Sequence, residues 1–329
     1  MTMTTIRDTA VSYRNDFGFQ EASLEASALG FADATHPLIP ARDDYYVFRR
    51  HEFRRVMNFL EEPRSDFMYL HGHFGTGKTS LPNQIAARLN WPVISVDGSR
   101  EFNPDDLVGR PNLKNANMEF LYGALAQSMM NGYIFIFNEI DSCHPGLLTA
   151  LHDVAEGRPL TIQTNGSEMV KPHPNWRLIV TGNSRGNGDT TGLYRGVQPL
   201  NRAFIDRSRM VEVKYPAPEV ELDILSRVTP EHPESIREKF VRVTNEVRKS
   251  FIGGGDTDTD DQLTTTISIR GLLRWAELTL DYSAVAKNPV RYALREAITE
   301  KADPEEAMAI EEIARSVWGS DWTDEEEEE

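Results

Sequence analysis

The sequence predicts an α/β fold, a mostly parallel sheet with helices on both faces, followed by a separate α-helical domain. Three observations carry that expectation. Short apolar runs alternate with helix-period segments over residues 46–216, the pattern of successive βαβ units. The run Tyr133–Phe137 is apolar throughout, as a strand buried on both faces must be. Beyond Tyr215-Pro216-Ala217-Pro218 the strand-like runs stop and only helical spacing remains.

In chain order, residues 1–45 show weak periodicity and several turn formers, with helical patches expected around Glu21–Leu29. They are read as an N-terminal extension. From Arg49 to Leu60 apolar residues recur at helical spacing (Phe53, Val56, Met57, Leu60), and Glu61-Glu62-Pro63 ends that helix. Phe67–Leu70 is the first strand of the α/β region, followed by a helix over 77–89. Strands are expected at Pro92–Val96, Tyr133–Phe137, Arg177–Thr181 and Met210–Val213, with a helix at Leu147–Glu156. The domain boundary falls near Pro216. Residues 217–319 carry helices at Glu219–Arg227, Glu234–Lys249, Ile269–Leu280, Pro289–Glu300 and Pro304–Val317. Residues 320–329 end in an acidic run, Asp324 to Glu329, whose like charges repel and cannot build a core, so a disordered tail is expected.

Composition narrows the function classes. The chain has 329 residues, 40% hydrophobic and 26% charged, enough apolar material for a core and, at roughly 150 residues per domain, for two domains. Apolar runs such as Leu178–Val180 are too short to cross a bilayer. No apolar segment follows the N-terminus, so no secretory leader is expected, and a cytoplasmic address is the default. The single cysteine, Cys143, excludes an internal disulfide and a cysteine-based zinc site. A net charge of −16 argues against nucleic acid as the main partner, because phosphate binding requires a cationic surface. The alternating aspartates of Asp256–Asp261 lack the glycine and glutamate of a calcium loop, the twelfth position being Ile267, and are read as a loop.

The strongest motif is Gly72-His73-Phe74-Gly75-Thr76-Gly77-Lys78-Thr79. It satisfies the P-loop pattern in full and lies between an expected strand and an expected helix. The glycines Gly72, Gly75 and Gly77, with Thr76 between them, allow backbone N–H groups to point at a phosphate, and the helix start adds its positive end. Lys78 is expected on the β- and γ-phosphates of ATP, with the Thr79 hydroxyl on Mg²⁺. Pro82 is tolerable only in the first turn of the following helix. The second half of such a site is an apolar strand ending in acidic residues. Ile134-Phe135-Ile136-Phe137-Asn138-Glu139 is that strand. Glu139 stands where a residue polarises the attacking water. Asn138 stands where an aspartate would hold Mg²⁺ through water, so the metal is expected to be held more weakly, with Asp141 as a candidate compensator. Asn183, at the tip of the strand Arg177–Thr181, could orient water beside the γ-phosphate.

The order of these motifs resembles the MoxR branch of AAA+ ATPases. It is carried by Asp106-Leu107-Val108-Gly109, Phe120-Leu121-Tyr122-Gly123-Ala124-Leu125, Asn138-Glu139-Ile140-Asp141 and Asp206-Arg207. Within the branch the chain is similar to the ATPase (small) subunits of aerobic cobaltochelatases, through His173-Pro174-Asn175-Trp176-Arg177-Leu178, Gly188-Asp189-Thr190-Thr191-Gly192-Leu193-Tyr194 and Ser268-Ile269-Arg270 through Trp275-Ala276-Glu277. The family also has phage-encoded members outside cobalamin synthesis. The resemblance implies an AAA+ core with an α-helical lid, and a homo-oligomeric ring of six subunits with ATP at each junction. It implies that Arg207 is an arginine finger reaching the neighbouring subunit, with Arg202 and Arg209 close enough in sequence to share the task. It assigns Arg270 as an arginine touching the phosphates in cis. Lys114–Tyr122 and Leu160–Lys171 match hairpin insertions that contact partner or substrate. A von Willebrand A-like metal-binding subunit is the implied partner. Cys143, His71, His73 and His173 are read as structural.

The expected activity is therefore an ATPase that remodels a partner protein, in its narrow form the motor for cobalt insertion into a corrin precursor. A second reading, motivated by Asn138, is a nucleotide-dependent scaffold with little turnover. A DNA-handling ATPase is disfavoured by charge.

Overall fold

The structure, a computed structural model, describes residues 6–99, 103–114, 117–144, 148–189, 193–194, 196–252 and 263–322. The segment Asp256–Asp261, the acidic run from Asp324 and the residues Thr190, Thr191 and Gly192 lie outside them. The chain divides into two compact units, one comprising Met1–Asp44, Phe48–His73 and Gly77–Lys214, the other Tyr45–Val47, Phe74–Thr76 and Tyr215–Glu329.

The first unit begins with an antiparallel hairpin, β1 (Thr9–Ser12) and β2 (Ser27–Gly30). The helical patch expected around Glu21–Leu29 is not formed. Ala28 and Gly30 are buried while Ser27 and Leu29 are exposed, a period of two that fits a half-buried strand. Helix α1 (Arg50–Glu61) buries Phe53, Val56, Met57, Phe59 and Leu60. Strand β3 (Phe67–His71) leads through the P-loop into α2 (Ser80–Arg88). This helix starts later than expected because Gly77 has φ +90°, a left-handed conformation no helix contains. Pro82 then falls among the first-turn donors that lack an intrahelical partner. Next come β4 (Val93–Asp97), α3 (Pro104–Val108), the hairpin β5 (Gly109–Lys114) and β6 (Asn117–Tyr122), α4 (Ala124–Asn131) and β7 (Ile134–Asn138). Then α5 (Thr149–Ala155), the short hairpin β8 (Leu160–Ile162) and β9 (Glu168–Val170), β10 (Arg177–Gly182), α6 (Arg202–Asp206) and β11 (Ser208–Glu212) complete the unit.

The central sheet has five strands in the order β11-β3-β10-β7-β4, and every pairing is parallel. Phe67, Tyr69, Phe135, Phe137, Leu178 and Val180 enter the core cluster shared with α4, α5 and α6. The alternate residues Met68, Leu70, Ile134, Ile136 and Ile179 are equally buried. Both faces of the sheet are therefore covered, which explains the continuous apolar strands. The segment His173–Arg177 braces one end. The Trp176 indole donates to Ser128 Oγ at 3.0 Å, and the buried Arg177 donates to the carbonyls of Leu60, Pro174 and Trp176.

The second unit is helical, with α7 (Pro218–Val228), α8 (Glu234–Ile252), α9 (Ile269–Asp281), α10 (Pro289–Ala297) and α11 (Pro304–Trp318). Its core joins Leu225, Phe240, Trp275 and Trp318, with the Phe240 and Trp275 rings edge to face at 4.6 Å, a favoured aromatic geometry. Inside it Arg248 pairs with Glu221 at 2.6 Å, and Arg248 Nε donates to the Ile267 carbonyl at 2.8 Å. Among the described residues no helix is long and apolar enough to cross a membrane.

Candidate nucleotide site

In a parallel sheet, loops at the carboxyl ends of adjacent strands converge on one crevice. Here those loops follow β3, β10 and β7, the central strands. The P-loop leaves β3 through Gly72, Gly75 and Gly77, all at positive φ. Gly75 has no room for a side chain, because a Cβ there would lie 2.2 Å from Ser268 Cβ within the helical unit. Thr76 is buried and Thr79 begins the helix.

Lys78 is the centre of the site. Its Nζ donates to the carbonyls of Gly72 and His73 and to Asn183 Oδ1, each at 2.9 Å. Burial lowers its pKa to about 8, against the raising influence of Asp141 and Glu139. A partly desolvated ammonium held only by neutral oxygens suits a polyanion, which would replace those oxygens with charged ones.

Thr79 Oγ1 donates to Asn138 Oδ1 at 2.8 Å. The Asn138 amide is satisfied on its other side, where Nδ2 donates to Ser95 Oγ and Asp97 Oδ1, both at 2.9 Å. Asp97 is a residue the sequence reading overlooked. The signal was there: an aspartate at the carboxyl end of a strand in a parallel sheet. Among the described residues no cluster of three histidine, cysteine or acidic side chains could hold a metal by itself. Mg²⁺ does not require one, since it keeps waters and binds through one or two protein groups and substrate phosphates. A hydroxyl and an amide oxygen in contact, with a carboxylate behind them, fit that ion.

Asp141, the candidate compensator, is tied through one carboxylate oxygen to the loop after β10. Oδ2 accepts from the Asn183 N–H at 2.8 Å, the Ser184 N–H at 2.9 Å and the Ser184 hydroxyl at 3.0 Å. Asp141 therefore fixes the loop after β10 that presents the Asn183 side chain to Lys78. Burial raises its pKa, and Oδ1 has no hydrogen-bond partner.

Glu139 follows β7 and is exposed. Its backbone is left-handed, φ +49° and ψ +43°, a conformation unusual for a non-glycine residue that costs about 1 kcal/mol or more. Its N–H donates to Thr181 Oγ1 at 3.2 Å.

The two expected arginines belong to other elements, Arg207 to the end of α6 and Arg270 to α9. Arg207 caps α6 and ion-pairs within its own chain with Glu156, at the end of α5. Arg209 is tied to Asp66 at 2.8 Å and to the Pro63 carbonyl, so it serves the fold, whereas Arg202 is exposed. Arg270 belongs to the helical unit. It is exposed in the first turn of α9, whose N-cap Ser268 accepts from the Gly271 N–H at 3.0 Å. A cation there opposes the helix dipole and gains from an anion nearby. His73 Nδ1 lies 2.9 Å from the Tyr194 hydroxyl, which links the P-loop to the described end of the Gly188–Tyr194 segment.

A parallel sheet with a P-loop after its first strand, a Thr79–Asn138 contact and an asparagine on the P-loop lysine defines a P-loop ATPase of the AAA+ class. Residues 68–208 match the AAA domain of the dynein-related subfamily, and residues 221–317 match the CbbQ/NirQ/NorQ C-terminal family. The chain thus carries an AAA domain followed by a CbbQ/NirQ/NorQ-type C-terminal region, an arrangement similar to that of MoxR-type AAA+ ATPases. It is 29% identical over 326 residues to the aerobic cobaltochelatase subunit CobS of a Sinorhizobium species, covering 96% of this chain and 93% of that one. It is 28% identical to the gas vesicle ATPase GvpN of Ancylobacter aquaticus, over 54% of this chain and 52% of that one. It is 25% identical to the protein CbbQ of Hydrogenophilus thermoluteolus, over 48% and 57%.

Proposed function

We propose that the chain is a ring-forming motor that binds Mg²⁺ and ATP and couples hydrolysis to remodelling of a partner protein. The observation that carries the reading is the convergence of Lys78, Thr79, Asn138 and Asn183 at the carboxyl ends of β3, β7 and β10. In this reading the N–H groups of the P-loop and Lys78 hold the triphosphate. Thr79 and Asn138 hold the metal shell, and Mg²⁺ when bound neutralises charge on the β- and γ-oxygens. Glu139 polarises the water that attacks the γ-phosphorus, and Asn183 keeps Lys78 and that water aligned. Arg207 leaves Glu156 to act on the ATP of the adjacent subunit in a hexamer, and Arg270 acts on the phosphates of its own.

The near full-length likeness to a cobaltochelatase subunit supports the narrower form. There the motor serves cobalt insertion into a corrin precursor carried out on separate subunits, with a von Willebrand A-like metal-binding protein as partner and a cytoplasmic setting. Exposed Leu113, Met118 and Leu121 on the β5–β6 hairpin and Met169 on β9 offer apolar surface for such a partner. The test is nucleotide binding by Lys78→Ala. The variant is expected to lose ATP binding, because neutral carbonyls cannot offset the triphosphate charge. Unchanged affinity would show that the phosphate site has been misplaced.

A further inference from the structure

We propose that Asp97 supplies the negative charge of the magnesium shell that Asn138 lacks, displaced by one strand to the neighbouring β4. The inference rests on the magnesium-nucleotide reading above and adds a residue to it.

Strands β4 and β7 are adjacent and parallel, and their register sets Asp97 directly beside Asn138. Both residues are therefore at the carboxyl end of the sheet, where the P-loop lies. The contact between them is a side-chain hydrogen bond, Asn138 Nδ2 to Asp97 Oδ1 at 2.9 Å. A carboxylate can only accept, so it requires the amide nitrogen to face it. The amide oxygen is then left for Thr79, 2.8 Å away. Asp97 thus does two things at once. It sets the orientation of the amide, and it places a full negative charge one side chain away from the Thr79 hydroxyl. Asp97 is exposed. The other nearby carboxylate, Asp141, directs its Oδ2 to three hydrogen bonds from Asn183 and Ser184, not to Asn138 or Thr79. Split in this way, the amide touches the hydroxyl and the carboxylate stands behind it. Charge placed behind a metal ligand typically alters metal affinity or activity by ~10–100-fold.

The two roles separate by substitution. Asp97→Asn keeps an acceptor oxygen for Asn138 and removes only the charge. Asp97→Ala removes both. The double variant Asp97→Asn with Asn138→Asp moves the carboxylate onto β7. The full-length protein, loaded with ADP, is titrated with Mn²⁺ as a paramagnetic probe, and free Mn²⁺ is read by electron paramagnetic resonance. ADP binding is measured separately in EDTA. Asp97→Asn is expected to bind ADP in EDTA as the parent does, to lose Mn²⁺ affinity by ~10–100-fold, and to regain it in the double variant. If Asp97→Asn binds Mn²⁺ like the parent while Asp97→Ala does not, Asp97 only orients the amide and the charge proposal is overturned. The proposal is equally overturned if the double variant fails to regain affinity while its ADP binding in EDTA is intact. A parent protein that binds ADP but no nucleotide-dependent Mn²⁺ overturns the magnesium reading and this inference with it. Asp97→Ser is a second variant with the same expected loss.

Discussion

Arg207 and His71 show how much one side chain can decide. Arg207 is paired with Glu156 in its own chain, so an action on a neighbouring subunit requires that pair to open. Arg207→Ala should lower hydrolysis by about 10³-fold or more while leaving nucleotide binding largely intact. Mixing it with Glu139→Gln subunits should restore some activity at junctions where an intact finger meets an intact glutamate. Steady-state phosphate release from mixtures of defined ratio measures this, and a flat response would remove Arg207 from the trans role. His71 closes β3 in a buried position, and desolvation lowers its pKa to about 4, with Glu212 opposing the shift. The folded state thus prefers the neutral ring. Its contribution to stability is full above the ordinary histidine pKa near 6.5 and is lost as pH falls from there toward 4, where the unfolded chain binds the proton first. The effect is at most about 3 kcal/mol. Urea midpoints of the parent should therefore fall more steeply than those of His71→Gln over that window.

At the scale of the element, α9 shows how a buried ion pair organises a helix start. Arg248 bonds Glu221 and also holds the carbonyl of Ile267, the residue before the Ser268 cap. Removing one partner strands the other in a dry core, so Arg248→Ala should cost about 3–5 kcal/mol in chemical denaturation. Ser268→Ala, which removes only the cap, should cost about 1 kcal/mol. Legibility in the sequence follows the same physics. Strands β3, β7 and β10 were readable because burial on both faces forces continuous apolar runs, and the P-loop was readable because its backbone requires glycines at fixed offsets. Strand β2 was misread because four residues are too few to establish a period of two beside Leu24 and Leu29. The direction of Asp141 was hidden because it depends on the left-handed turn at Glu139 and the 3-10 turn Ile140–Ser142. The strand-end position of Asp97 was legible, but its place beside Asn138 was not, because strand order is not written in any local pattern.

On the scale of the whole molecule, the net charge of −16 means that identical subunits repel one another before they associate. Assembly should therefore be favoured both by ATP and by added salt, which screens that repulsion. Sedimentation velocity with and without ATP, at low and moderate ionic strength, checks this; a monomer with full ATPase activity under all four conditions would exclude a catalytic ring. The chain also carries only one thiol, on Cys143, fully buried and with its pKa pushed up to about 11 by burial. Thiolate, not thiol, is the reactive species, so the native protein should be silent toward maleimides and should react once when unfolded. That makes the wild-type sequence a ready background for labelling. A cysteine introduced at an exposed hairpin position such as Met169 would be the sole reactive site, and a dye there could report partner docking and subunit exchange without first stripping the protein of its own cysteine.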